Sequence, residues 1–103
     1  MPIFSSTPIT FSGTGDQTLV TAVSGKLIQV FQIFFTAAGA TNLQFKDGAG
    51  GTALTGAMSF TTNQQFSLLF DTTPHFFASP GNAFVLNSST GVQVSGVLWF
   101  TQK

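Results

Sequence analysis

The chain of 103 residues contains no cysteine, no glutamate, no arginine and no tyrosine. Without Cys there are no disulfides and no thiolate metal sites. Only 6% of residues are charged, against roughly 25% in typical soluble domains. They are Lys26, Lys46, Lys103, Asp16, Asp47 and Asp71, and the formal net charge is zero. Three scattered Lys cannot make the basic patch that phosphates need, so no nucleic-acid partner is expected. A basic amphipathic helix is missing, and no apolar run approaches the ~20 residues that span a bilayer, so no membrane partner is expected either. The N-terminal MPIFSSTPITF has no basic region followed by an apolar block, which predicts no signal peptide.

Chemistry is scarce for the same reason. Catalysis needs titratable groups in convergent pairs, and the inventory is three Asp and one His. His75 and Asp71 could enter a Ser–His–Asp triad only from within one turn, and no G-x-S-x-G is present. Paired carboxylates for glycoside hydrolysis would have to come from separate turns. One His with no Cys does not build a zinc site. Lys46–Gly51 (KDGAGG) has glycines, but no Lys follows them and no helix follows the loop, so it reads as a flexible turn rather than a phosphate cradle. Asp47 alone does not make a calcium loop. These absences predict a chain that is not an enzyme and takes no cofactor, no metal and no small-molecule substrate.

What is present is hydrophobic: 43% of residues, among them 13 Phe and one Trp. That content can offset the entropy of ordering, and a single sandwich of this length would struggle to hide every ring. Low charge also removes the self-repulsion that keeps molecules apart. The longest apolar run is Lys26–Thr36, KLIQVFQIFFT. Read with period 2, it puts Leu27, Gln29, Phe31, Ile33 and Phe35 on one face and Ile28, Val30, Gln32 and Phe34 on the other. Both faces are mostly apolar, which predicts a strand with a core on one side and a second dry body, another copy of the chain, on the other.

The remaining segments read as short strands. Residues 1–11 carry Pro2 and Pro8 and read as an N-terminal arm or edge strand, with Ile3, Phe4, Ile9 and Phe11 as contacts to a neighbouring subunit or shell. Residues 12–103 read as a single β-sandwich domain. Gln17–Val23 is a strand with Leu19 and Val20 facing opposite ways, and Ser24-Gly25 suggests a hairpin into the long strand. Thr41–Lys46 alternates cleanly, with Leu43 and Phe45 inward. A strand is expected near 57–61 and another at 66–70, with Phe66, Leu68 and Phe70 inward and Leu69 outward. Ala83–Asn87 and Val92–Thr101 follow; the latter places Val97 and Trp99 opposite Val92, Val94, Leu98 and Phe100. Connections after residues 46 and 70 read as crossovers between sheets. Seven to eight short strands with frequent turns predict an all-β, antiparallel, jelly-roll-like sandwich.

The block Leu27–Phe100 resembles a group of small bacteriophage virion proteins. The resemblance rests on LIQVFQIFFTAAGATNLQFKDGAGGTALTGAMSF, a Phe-rich strand, the Ser79-Pro80-Gly81 turn and GVQVSGVLWF. It covers about three quarters of the chain. It implies a capsid decoration, or cement, protein: a jelly-roll structural protein that forms homotrimers on the head of a tailed phage and bridges neighbouring capsomers. The implied partners are other copies and the major capsid protein. The implied location is the virion head surface, after assembly in the host cytoplasm. The family pattern transfers no catalytic residues.

Phe34, Val97, Trp99 and Leu69 are the expected subunit contacts. His75, beside Pro74 and Phe76, is expected to be a partly buried or surface histidine, or to serve as an interface hydrogen bond or trimer-axis contact. An alternative is a tail or fibre β-sandwich module that binds a host glycan or receptor, with Trp99 as stacking platform.

Overall fold

A computed structural model describes residues 4–103. Ten strands form two antiparallel five-stranded sheets, with no helix among the described residues. The first sheet holds β1 (Ser5–Phe11), β10 (Val94–Gln102), β3 (Ile28–Ala37), β7 (Gln64–Leu68) and β8 (Phe76–Ala78). The second holds β2 (Gly15–Val20), β9 (Phe84–Ser88), β4 (Thr41–Asp47), β5 (Thr52–Ala53) and β6 (Met58–Phe60). Strands β5 and β6 pair with successive stretches of β4, and β7 and β8 with successive stretches of β3. Each of these pairs is one broken strand, which leaves four positions per sheet. With each broken strand counted once, the chain changes sheet at every connection except the one from β4 to β5, which is the double Greek-key logic of a jelly roll.

The core follows from strand alternation. On the inner face of the first sheet, Ile9, Gly96, Phe35 and Phe66 lie in one register row. Phe35 is fully buried and stacks on Phe66 at 5.0 Å. The second sheet answers with Leu43, Phe45, Phe84 and Leu86, all at 0% exposure. Phe45 bridges the layers, 4.7 Å from Phe76 and 6.2 Å from Phe35. Each fully buried side chain of this size contributes about 1.5–3 kcal/mol relative to exposure. Among the described residues every buried side-chain nitrogen or oxygen has a hydrogen-bond partner.

Several expectations are corrected here. The two dry faces of the long strand arise largely from a bulge. Trp99 pairs with Gln32 and Phe100 with Val30, so Phe31 is the extra residue. A bulge inserts one residue and resets which parity faces inward. Ile28 and Val30 therefore face the core before it, and Ile33, Phe35 and Ala37 after it. A second register shift at Leu19, between Thr18 and Val20, lets Leu19 and Val20 both be buried instead of opposed. The hairpin through Ser24-Gly25 does not form: β2 pairs with β9 in the other sheet, and residues 21–27 cross between sheets. The connections after residues 46 and 70 are not crossovers, since β5 returns to β4 and β8 to β3. Most of the rings are hidden after all; Phe34, Phe70 and Phe77 are the exposed ones, at 39%, 51% and 48%.

Two carboxylates clasp the loops of the second sheet. Asp47 accepts from the Ser79 amide (2.8 Å), the Ser79 hydroxyl (2.5 Å) and the Asn82 side-chain amide (3.1 Å). Asp16 accepts from Asn87 (2.8 Å), the Gly50 amide (2.6 Å) and Lys46 (3.2 Å). The KDGAGG segment is thus pinned rather than loose. Gly51 is obligatory there, because a Cβ would lie 1.9 Å from the Asp47 carbonyl oxygen.

Candidate functional site

The site is the outer face of the first sheet. Residues paired across antiparallel strands project to the same side, so the register defines its rows. One row is Pro8, Val97, Phe34 and Ser67; the next is Ser6, Trp99 and Gln32; a third is Thr10, Ser95, Thr36 and Gln65. None of these side chains is charged. Phe34 is 39% exposed at the centre, and Val97 and Trp99 are half-buried beside it. Phe34, Val97 and Trp99, expected from sequence as contacts, therefore do share one surface.

Leu69 extends the same edge. It follows Leu68, the partner of Ile33, and is 76% exposed. Residues 69–75 leave the ladder with β3 and rejoin it at Phe76, opposite Val30. The excursion faces the stretch of β3 that holds the Phe31 bulge. His75 ties it down: its backbone N–H donates to the Val30 carbonyl (2.8 Å), and its ring Nε2–H donates to the Leu69 carbonyl (2.7 Å). His75 is half-buried at the base of this excursion, so it shapes the Leu69 projection rather than lying in the flat rows. Asp71 caps its own turn, accepting from the Thr73 amide (3.3 Å).

The excursion moves Phe70 from its expected inner position. Its ring lies 5.5 Å from Phe4 and 6.3 Å from Phe31, outside the core. Phe4 and Phe31 meet edge-to-face at 5.0 Å. These three rings, with Gln29, Thr72, Pro74, Thr101 and Lys103, line a half-open cavity of about 360 Å³, and the excursion itself forms one of its walls. Thr101 donates its hydroxyl to Gln29 (3.1 Å) on the wall. Phe31, Phe70 and this cavity were missed in the sequence. The available signal was Phe31 itself, an aromatic on the wrong parity for the end of β3 that holds Ile28 and Val30.

The N-terminal residues divide. Ile3 lies outside the described residues. Ile9 is 1% exposed in the row of Phe35, so its side chain is committed to this chain's own core and offers nothing to a neighbour. Phe11 is half-buried against the same core. Phe4 lies against Phe31 and Phe70. The segment Ser5–Phe11 is an edge strand, paired with β10 along its whole length.

Charge is placed away from the rows. Asp16 and Lys46 pair on the second sheet, and Asp47 clasps the loop beside it. Hydrogen bonds from Asn87 and the Gly50 amide, with help from Lys46, hold the Asp16 carboxyl below its usual value against its desolvation. Desolvation pushes Asp47 upward, but the Ser79 hydroxyl and amide and the Asn82 amide outweigh it, and the net shift is downward. No known protein family, no curated protein and no solved structure matches the chain.

Proposed function

We propose that this chain is a non-catalytic structural protein of a virion, a cement protein whose copies join each other and bridge neighbouring capsomers of a phage head. The observation that carries the reading is the uncharged outer face of the first sheet, with Phe34 exposed between Val97 and the Ser67 edge. A passive fastener needs dry surface and hydrogen-bonding groups rather than a reactive centre, and such a face supplies both. The trimer and the major capsid protein as partner come from the resemblance of Leu27–Phe100 to phage decoration proteins. The jelly roll is compatible but does not choose, since capsid proteins and lectins share it.

The mechanism is additive burial. Each copy would cover apolar surface at a joint, and separating the joint would re-expose that surface at about 25 cal/mol per Å². A tail or fibre module binding a glycan is the second reading, favoured by the cavity of Phe rings with Gln29 and Thr101 on its walls. Trp99, its expected stacking platform, is on the flat rows and not among the walls of that cavity. The test is mass spectrometry of separated head and tail fractions of virions from the host that carries the gene. Recovery with heads, in multiples of the capsomer count, is the expected result; recovery with tails selects the second reading, and absence from both overturns the assignment.

A further inference from the structure

We propose that the half-open phenylalanine cavity is a binding site for a small amphipathic carboxylate, its apolar tail against Phe4, Phe31 and Phe70 and its carboxylate at Lys103. This goes beyond the assembly reading and does not depend on it. The cavity is a product of the fold. The bulge in β3 releases Phe31 from the core parity, and the excursion 69–75 carries Phe70 against it. Phe4 precedes Ser5, the partner of Phe100, and its ring meets both of the others edge-on. Gln29 and Thr101, register partners across β3 and β10, supply polar wall beside the rings. The volume of about 360 Å³ falls within the roughly 300–1,000 Å³ of small-ligand pockets. It is more than twice the roughly 150 Å³ that admits benzene, so a ligand of about ten to twelve non-hydrogen atoms fits.

The polar groups on the walls select the head group. The Thr101 hydroxyl donates to Gln29 Oε1 (3.1 Å), which leaves the Gln29 side-chain N–H groups to donate to a ligand. Lys103 adds an ammonium, and the ion pair among the described residues, Lys46 with Asp16, does not involve it. Its main chain is fixed at the rim: its N–H donates to the Leu27 carbonyl (3.0 Å), and its carbonyl accepts from the Leu27 N–H (2.8 Å). An apolar wall with a positive, donor-rich end complements an apolar tail with an anionic head. Asp71 does not oppose it. That carboxylate is not a wall of the cavity, and it accepts from the Thr73 amide (3.3 Å) and the Thr72 hydroxyl (3.5 Å) of its own turn. A sugar would set most of its hydroxyls, unpaired, against Phe rings and Pro74.

The experiment titrates the full chain with octanoate, hexanoate, octanol, octylamine and maltose and follows its amide NMR signals. Octanoate should saturate one site and shift the Gln29 side-chain amide and the Phe31 backbone amide. Octanol should bind about fivefold more weakly for want of the charge, and octylamine more weakly still. Hexanoate, two methylenes shorter, should lose about tenfold. Lys103→Gln should make octanoate and octanol equal, and Phe70→Ser should weaken both about tenfold or more. Both side chains are exposed, so unchanged urea midpoints confirm that folding is intact. The site is overturned if octanoate gives no saturable shift, if its shifts fall at Phe34 and Trp99 instead, or if the unmodified chain binds octanol as well as octanoate. Saturable shifts at Gln29 with maltose but not octanoate also overturn it, in favour of the glycan reading. None of these results decides the assembly reading, which the solution mass tests separately.

Discussion

Phe34 and Phe35 are neighbours in sequence and face opposite ways, and that contrast gives a sharp test. Phe35 is at 0% exposure, stacked on Phe66 at 5.0 Å and within 5.7 Å of Phe60 and 6.2 Å of Phe45. Truncating such a ring removes its transfer energy and leaves a cavity, so Phe35→Ala should cost about 3–5 kcal/mol. For a domain whose total stability is about 5–15 kcal/mol, that is a large fraction. The thermal midpoint should fall by at least about 12 °C, at about 4 °C or more per kcal/mol for this size. Phe34 is 39% exposed on the outer face. Phe34→Ser should cost only about 1 kcal/mol of fold stability, the span of strand propensity, while association is lost. Urea titration followed by Trp99 fluorescence reads the first effect, and sedimentation velocity the second. If Phe34→Ser destabilises the monomer as much as Phe35→Ala, the parity assigned after the Phe31 bulge is wrong, and with it the composition of the face.

Two other outcomes follow from the packing and the clasps. Gly96→Ala places a Cβ 1.9 Å from the Phe34 carbonyl oxygen and 2.7 Å from the Phe35 Cβ; β3 and β10 must part there, and a loss of about 1–3 kcal/mol is expected in urea titration. Asp16 and Asp47 both titrate lower in the folded chain than their ordinary 3.8. At acid pH the unfolded chain therefore binds more protons, and the clasps' contribution is complete above pH 3.8 and declines as pH falls through the folded values. A stability profile from pH 7 to pH 2 should show this decline, and it should be flatter in the double variant Asp16→Asn/Asp47→Asn; an equal decline in both would remove the clasps from the account.

Much of the architecture was legible because alternation is a local property. Thr41–Lys46 alternates, and Leu43 and Phe45 are buried as read. β10 carries Val97 and Trp99 opposite Val94 and Leu98, and it pairs with β3. What failed was non-local. A bulge is one residue in length and leaves no mark on composition, so Phe31 passed as part of an unbroken period. Ser24-Gly25 has hairpin chemistry, yet the jelly-roll path sends its two flanking strands to different sheets. The break at 69–75 looked like the end of a strand, and only the return of Phe76 to β3 exposes it as an excursion that moves Phe70 outward. The Asp16 and Asp47 clasps join residues 71 and 35 positions apart at their farthest, beyond any window of periodicity.

The proposed role depends on self-association through the first sheet, and the solution mass of the unmodified protein reads that association. Light scattering across a concentration series, with Trp99 emission recorded on the same samples, should give a trimer whose blue-shifted emission moves to the red on dilution. A monodisperse monomer with emission independent of concentration would contradict the claim.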